Sequence, residues 1–281
     1  MAEACVPGGL EAKAARLGEV LAQIPRMAVA FSGGLDSRFL CHAAQRAGCD
    51  LLLIHGAGPH VPGEESVGAQ EWARARGLRL ITFVHDPLGL PEVAVNSRER
   101  CYACKRALLG GMRAALVSCG EEELVLCDGG NLDDQRAFRP GLRAVAEARV
   151  RSPLAEAGLA KADIRELARA TGLDRPDQPA RPCLLTRLAY GMEPTAALLA
   201  RVARAEAELG ALDAADRADF GAAAGFGEFR LRLKPAPVFQ CSRVPARLTA
   251  ALEEIMAAHG FTPFSVVTGE KVSGFFDAET R

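Results

Sequence analysis

The sequence predicts an α/β fold class: a doubly wound, mainly parallel sheet followed by a smaller C-terminal α/β domain. Three observations carry this prediction. Short apolar runs alternate with longer amphipathic stretches through the first half of the chain, the signature of βαβ units with helices on both faces of a sheet. Those runs end in turns rich in Gly, Asp and His, at the strand ends where such sheets hold ligands. After a stretch carrying Pro176, Pro179 and Pro182 the pattern changes, which places a boundary near Pro194 and divides the chain into residues 1–193 and 194–281.

The elements follow in order. Residues 27–31 (MAVAF) form a buried strand that ends in a Gly-rich turn, with a helix to about Arg46. Residues 50–55 are a second strand, 64–76 a helix stopped by Gly77, and 78–84 a third strand. A helix over 104–118 contains Gly110-Gly111, and a fourth strand over 124–127 leads into Asp128-Gly129-Gly130-Asn131. Residues 161–171 are a helix stopped by Gly172. In the last third, 195–209 is an Ala-rich helix and 211–227, small and acidic, reads as a loop or linker. Residues 229–233 alternate as a strand, 244–259 are helical, and 264–267 form a last strand.

Composition narrows the function classes. A chain of 281 residues, about half apolar, can bury a core without disulfide staples. Its formal charge is −1, whereas a protein that grips long nucleic acid shows a basic excess or stripe, so nucleic acid is disfavoured as a partner. Nine cysteines, odd in number and unevenly spread, do not form a secreted disulfide framework. No leader pattern is expected in residues 1–9, and no apolar run reaches the ~18 residues that cross a membrane. The expectation is a soluble cytoplasmic enzyme, in which paired cysteines point to metal, cluster or catalysis.

Ser32-Gly33-Gly34-Leu35-Asp36-Ser37 lies between a strand and a helix. Its glycines let backbone approach a ligand closely, and the helix start offers N–H groups to an anion. Ser32 and Ser37 add hydroxyl donors. Bare phosphate would repel Asp36, which leaves it a role through Mg2+ or as a helix-start acid. There is no Gly-Lys-Ser/Thr as in a Walker A loop. The string resembles the PP-loop of ATP-pyrophosphatases. That resemblance implies ATP cleavage between the α- and β-phosphates, with AMP placed on a substrate oxygen.

Cys101 and Cys104 form a Cys-x-x-Cys pair at the head of a helix, and Cys183 stands in Arg-Pro-Cys-Leu-Leu-Thr-Arg. On spacing, a zinc site, a redox dithiol and an iron–sulfur site are all open. Three thiolates also suit a [4Fe-4S] cluster with one iron left for chemistry.

Several ordered motifs carry a more specific resemblance. They are Asn96 through Arg100-Cys101-Tyr102-Ala103-Cys104-Lys105, Asp128-Gly129-Gly130-Asn131-Leu132-Asp133-Asp134, Arg139-Pro140-Gly141, Arg151-Ser152-Pro153-Leu154 and Cys183 through Tyr190-Gly191. From Ala30 to Gly191 the chain resembles the LarE family of sulfur transferases. Such enzymes adenylylate a carboxylate of pyridinium-3,5-biscarboxylic acid mononucleotide and replace the activated oxygen with sulfur, in assembly of the nickel-pincer nucleotide. The resemblance implies ATP, Mg2+ and a [4Fe-4S] cluster on Cys101, Cys104 and Cys183, a small-molecule mononucleotide carboxylate as substrate, a sulfide donor, and a homo-oligomer, by resemblance a hexamer. It implies that Ser32, Gly33, Gly34, Asp36, Ser37, Asp128, Asn131, Lys105 and Arg187 bind the cofactor. Beyond Gly191 the likeness fades. There Glu206, Arg230 and Arg232 match, in type, an acid and an Arg-x-Arg pair near the substrate phosphate, so the C-terminal domain is assigned to substrate binding and oligomerisation. Gly130 stands where the family has Thr, Phe138 where it has Tyr and Ala189 where it has Pro.

Plainer readings stand beside these. Arg100 and Lys105 either touch phosphate or face solvent. Asp128 either binds ribose or magnesium or caps a turn, and Asn131 and Asp134 are turn formers. Arg139 and Arg151 suit either bidentate anion recognition or ion pairing. Arg230 and Arg232 fit the outward face of a strand. Cys5, Cys41, Cys49, Cys119, Cys127 and Cys241 read as small hydrophobes, His55 as structural and Trp72 as helix packing. The rival functions are a PP-loop tRNA thiolase with a three-cysteine cluster, a non-catalytic nucleotide- or cluster-binding protein, and amide formation on the same adenylate.

Overall fold

A computed structural model describes residues 9–136, 140–269, 272 and 275–278. Its helices are α1 (Leu10–Ala22), α2 (Leu35–Arg46), α3 (Gly63–Ala75), α4 (Pro91–Ala94), α5 (Arg100–Ser118), α6 (Leu132–Arg136), α7 (Gly141–Glu147), α8 (Pro153–Glu156), α9 (Lys161–Ala170), α10 (Ala196–Phe220), α11 (Thr249–Ala258) and α12 (Phe275–Ala278). Its strands are β1 (Arg26–Ala30), β2 (Asp50–Ala57), β3 (Arg79–Val84), β4 (Val125–Cys127), β5 (Phe229–Lys234), β6 (Ala236–Cys241) and β7 (Ser265–Thr268). The chain divides into two compact units: residues up to Pro87 with Cys101–Arg181, and Leu88–Arg100 with Pro182 onward. The second unit therefore includes 88–100 and 182–193, which the sequence grouped with the first.

The first unit is built on a parallel sheet of order β3-β2-β1-β4. Alternation along the strands loads both faces. Met27, Val29, Leu51 and Leu53 point into one core with Leu17, Leu21, Leu40, Trp72 and Ile164, from α1, α2, α3 and α9. Ala28, Leu52 and Ile54 point into another with Leu109, Met112 and Leu116 of α5 and Val145 of α7. This is the doubly wound α/β arrangement expected. From β1 the chain leaves to β2 on one side, while β4 lies on the other, so the crevice beyond β1 and β4 is the switch point where such sheets bind ligands.

Buried Arg38 ties α2 to the segment after α9. It donates to Asp174 Oδ2 at 2.8 Å, to the Asp174 carbonyl at 2.7 Å and to the Arg175 carbonyl at 3.2 Å. Asp174 also accepts from Trp72 Nε1 at 2.9 Å and from Arg76 at 2.8 Å. Trp72 stacks on Phe31 with centroids 5.3 Å apart, as its helix-packing reading expects.

The second unit carries a small mixed sheet of order β5-β6-β7, with β5 antiparallel and β7 parallel to β6. Two expectations are corrected here. The segment read as a loop from 211 is helical through Phe220, because Ala is a strong helix former and two of its acids, Asp213 and Asp216, are buried. Asp216 instead accepts the Gly225 N–H at 2.7 Å and Asp213 the Phe226 N–H at 2.5 Å, so they bind the turn that ends the helix. The helix expected over 244–259 is a short 3-10 turn (Ala246–Leu248) followed by α11.

Among the described residues, no helix is long and apolar enough to cross a membrane.

Candidate active site: a phosphate cleft and an arginine knot

The turn after β1 depends on glycine. Gly33 has φ +75°, a left-handed conformation that disfavours a side chain, and a Cβ there would lie 3.0 Å from Ala69 Cβ on α3. Ser32 Oγ accepts from Gly34 N at 3.3 Å and lies 3.2 Å from Ser37 Oγ, so the two hydroxyls face one another at the start of α2. The first-turn N–H groups of that helix have no intrahelical acceptor, which is the basis of anion binding there.

The turn after β4 completes the crevice. A Cβ on Gly129 would sit 2.8 Å from Ser37 N, so only glycine lets the two turns approach this closely. Asp128 is buried, and its Oδ1 accepts from Ser152 Oγ at 2.6 Å and Gly130 N at 3.0 Å. At Gly130, Ser152 Oγ lies 3.0 Å from where a Cβ would stand, so a hydroxyl occupies that space from another segment. Ser32, Gly34, Asp36, Ser37, Asp128, Asp134 and Lys105 of α5 line a cleft of about 280 Å³. Asn131 sits behind it, with Oδ1 accepting from Asp133 N at 3.0 Å and capping α6.

Sequence reasoning missed Lys161. Its Nζ lies 2.7 and 2.6 Å from the two carboxylate oxygens of Asp36. This ion pair answers the repulsion that an acid beside phosphate would otherwise produce. Only the fold brings positions 36 and 161 together, so no local signal announces the pair.

The cysteines fall in different places. Cys101 is exposed and Cys104 half-buried on the first turns of α5, in the first unit, while Cys183 is half-buried in the second. None forms a disulfide. Cys104 Sγ lies 3.4 Å from His85 Nε2, and buried His60 is close by, a grouping the sequence did not suggest. Burial, helped by neighbouring His85, pushes His60 down to about 4, and burial also lowers His85. Cys41, Cys127 and Cys241 are buried, and burial raises Cys127 to about 12 and Cys241 to about 11. His55 is structural, bonded to the Phe31 carbonyl at 2.8 Å and to Ser66 Oγ at 2.9 Å. Arg151 pairs with Glu156, and Arg139, Phe138 and Cys5 lie outside the described residues.

In the second unit the expected polar residues form a knot. Arg187, 4% exposed, donates from Nε to Glu206 Oε1 at 2.9 Å and from Nη2 to Glu206 Oε2 at 2.7 Å. Its Nη1 holds the Pro182 carbonyl at 2.9 Å and Thr186 Oγ1 at 3.0 Å, which fixes the backbone around Cys183. Glu206 Oε1 also accepts from Leu231 N at 2.9 Å. Arg232 is buried on β5 and donates to Gln240 Oε1 at 3.0 Å, to the Thr186 carbonyl at 2.7 Å and to the Val272 carbonyl at 2.5 Å. Burial, with Arg187 and Arg230 nearby, lowers it to about 10. Arg230 bonds Glu228 at 3.1 Å and the Phe229 carbonyl at 2.5 Å. Arg100 lies over the Tyr190 ring at 4.4 Å, in this unit and not in the cleft.

No family model matches the chain. Curated proteins do. An uncharacterized protein of Synechocystis is 34% identical over 198 residues, which covers 70% of this chain and 73% of that one. An uncharacterized protein of Methanocaldococcus jannaschii is 31% identical over 60% of this chain and 63% of its own. The pyridinium-3,5-bisthiocarboxylic acid mononucleotide synthase of Lactiplantibacillus plantarum is 30% identical over 205 residues, 72% of this chain and 74% of that one. On that identity and coverage the chain belongs to the LarE family, that of the pyridinium-3,5-bisthiocarboxylic acid mononucleotide synthases.

Proposed function

We propose that this protein is an ATP-dependent sulfur transferase. It adenylylates a carboxylate of pyridinium-3,5-biscarboxylic acid mononucleotide and replaces the activated oxygen with sulfur. The observation that carries the reading is the cleft lined by Ser32, Gly34, Ser37, Asp128 and Lys105. The name of the Lactiplantibacillus relative supports the choice of substrate.

The chemistry balances in two steps. The carboxylate oxygen attacks the α-phosphorus of ATP, the bond to the bridging oxygen breaks, and pyrophosphate leaves. A sulfur nucleophile at the sulfide level then adds to the acyl carbon, and AMP departs with the oxygen and its electron pair. The N–H groups that open α2, with the Ser32 and Ser37 hydroxyls, hold the departing pyrophosphate, and Lys105 offsets its charge. Asp36 and Asp128 are the carboxylates suited to Mg2+, with Lys161 as the counter-ion of Asp36 before the metal arrives. Arg230 anchors the substrate phosphate, and the Glu206–Arg187 pair holds the strand that carries it.

The donor chemistry fits a [4Fe-4S] cluster: Cys101 and Cys104 lie one turn apart, and Cys183 is likewise free of disulfide. These three residues would hold it, and when bound it supplies soft sulfide for transfer.

Anaerobically purified protein given ATP, Mg2+, sulfide and the mononucleotide tests the reading by mass spectrometry. A thiocarboxylate product is expected. No product here, with sulfur found in tRNA instead, would replace this reading with the thiolase. Iron content tests the cluster separately: about four irons per chain in the wild type, lost in Cys101→Ala.

A further inference from the structure

His60, His85 and Cys104 are far apart in sequence and come from three elements. His60 stands in the turn after β2, where Val61 N bonds the Gly58 carbonyl at 3.0 Å. His85 follows β3, and Cys104 lies on the first turns of α5. All three belong to the first unit, at the carboxyl edge of its sheet. One ligand atom from each lies within 4.8 Å of the other two. The rings of His60 and His85 meet edge to face, with centroids 5.2 Å apart.

The cluster is built, not incidental. Both histidines are 6% exposed, and His60 Nδ1 is buried with no hydrogen-bond partner, which is unfavourable unless something occupies it. Gly58 makes the approach possible: a Cβ there would fall 1.8 Å from the His85 carbonyl and 3.2 Å from His60 Nδ1. Donors around a tetrahedral ion with metal–nitrogen bonds of about 2.0 Å and a metal–sulfur bond of about 2.3 Å stand roughly 3.4–3.6 Å apart. His85 Nε2 and Cys104 Sγ are already at 3.4 Å.

We infer that His60, His85 and Cys104 form a mononuclear site for a borderline-soft divalent ion such as Zn2+, with a fourth position open to a small ligand. Two imidazoles and one thiolate suit such an ion, and three protein ligands with an open position is the form that catalytic zinc sites take. The inference goes beyond the proposed sulfur transfer and does not rest on it. It concerns the iron-free chain: the Cys104 thiolate serves either this ion or the cluster shared with Cys101 and Cys183, so the two occupancies exclude one another.

The test uses the full chain, stripped of metal by chelator and kept reduced. Zn2+ is titrated against a chromophoric competitor, and X-ray absorption is recorded on the zinc-loaded wild type. One equivalent is expected, with one sulfur at about 2.3 Å and imidazole nitrogens at about 2.0 Å. Affinity should fall at least about a hundredfold, the upper end of what losing a mere outer partner costs, in His60→Ala, His85→Ala and Cys104→Ser. It should be unchanged in Cys101→Ser and Cys183→Ser. Because a substituted core histidine could impair folding, the absorption result on unaltered protein stands as the second arm. No bound zinc in the wild type, a sulfur-only coordination shell, or binding lost in Cys101→Ser but kept in both histidine variants would overturn the site. Pyrophosphate release by the same zinc-free protein, resupplied with Mg2+, ATP and the mononucleotide, separates this outcome from a failure of the adenylylation reading.

Discussion

The phosphate cleft and the arginine knot use similar residue types to opposite ends. In the cleft, Ser32, Ser37, Lys105 and the opening N–H groups of α2 line open space. In the knot, Arg187, Glu206 and Arg232 spend their polar atoms on one another and on backbone, with Leu231 N, Pro182 O and Thr186 O among the partners. The difference teaches that polar residues near a site divide into those aimed at a ligand and those that hold the chain. Charge and sequence spacing do not separate the two; burial read with hydrogen bonds does, since Arg187 and Arg232 are each 4% exposed while Ser32, itself bonded to Gly34 N, still lines the cleft.

Substitutions can break this contrast. The largest effect is expected from Glu206→Ala, which strands buried Arg187 and orphans Leu231 N. Removing one partner of a buried pair costs about 3–5 kcal/mol, so urea melts should show a large loss of stability, and an unchanged midpoint would dissolve the distinction. Asp36→Asn should do the reverse. Pyrophosphate release should drop about a hundredfold, as for loss of a group that stabilises transition-state charge, while the melt moves little because the Lys161 pair is partly exposed. Gly129→Ala places a methyl 2.8 Å from Ser37 N and forces the phosphate loop to shift, at a cost of about 1–3 kcal/mol. Nucleotide affinity, read by calorimetry, should weaken by about tenfold, and unchanged binding would show that the loop's position is not what the cleft needs.

The smallest effect is one of pH. Burial pushes Asp174 up, but the Trp72 N–H, Arg38, Arg175 and Arg76 outweigh it and hold the carboxyl below its ordinary value. A depressed folded-state value contributes stability that is present above the unfolded-state value of about 3.9 and is lost as pH falls through the folded one. Asp174→Asn should therefore be less stable than wild type at neutral pH, with the gap closing in acid. A gap independent of pH would mean that the carboxylate charge plays no part.

How much of this was legible follows from which interactions are local. The strand, Gly-rich turn and helix of the phosphate loop are written within about twenty consecutive residues, and period and motif agree there. Lys161, His60 and His85 act through partners set beside them by sheet order, and a single sequence carries no sign of that. The extension of α10 was missed because Asp213 and Asp216 look like solvated acids until the turn they bind is known. Strand β6 contains Pro237, a residue type that does not by itself announce a strand. It is tolerated because the pairing with β7 begins only at Val238.

The central claim is that a carboxylate is activated by adenylylation in the phosphate cleft. Its most direct test supplies the mononucleotide with isotopically labelled carboxylate oxygen and examines the AMP released. Adenylylation predicts one labelled oxygen in the AMP phosphate, lost together with pyrophosphate formation in Asp36→Asn. Unlabelled AMP, or release of ADP and orthophosphate instead, would contradict it.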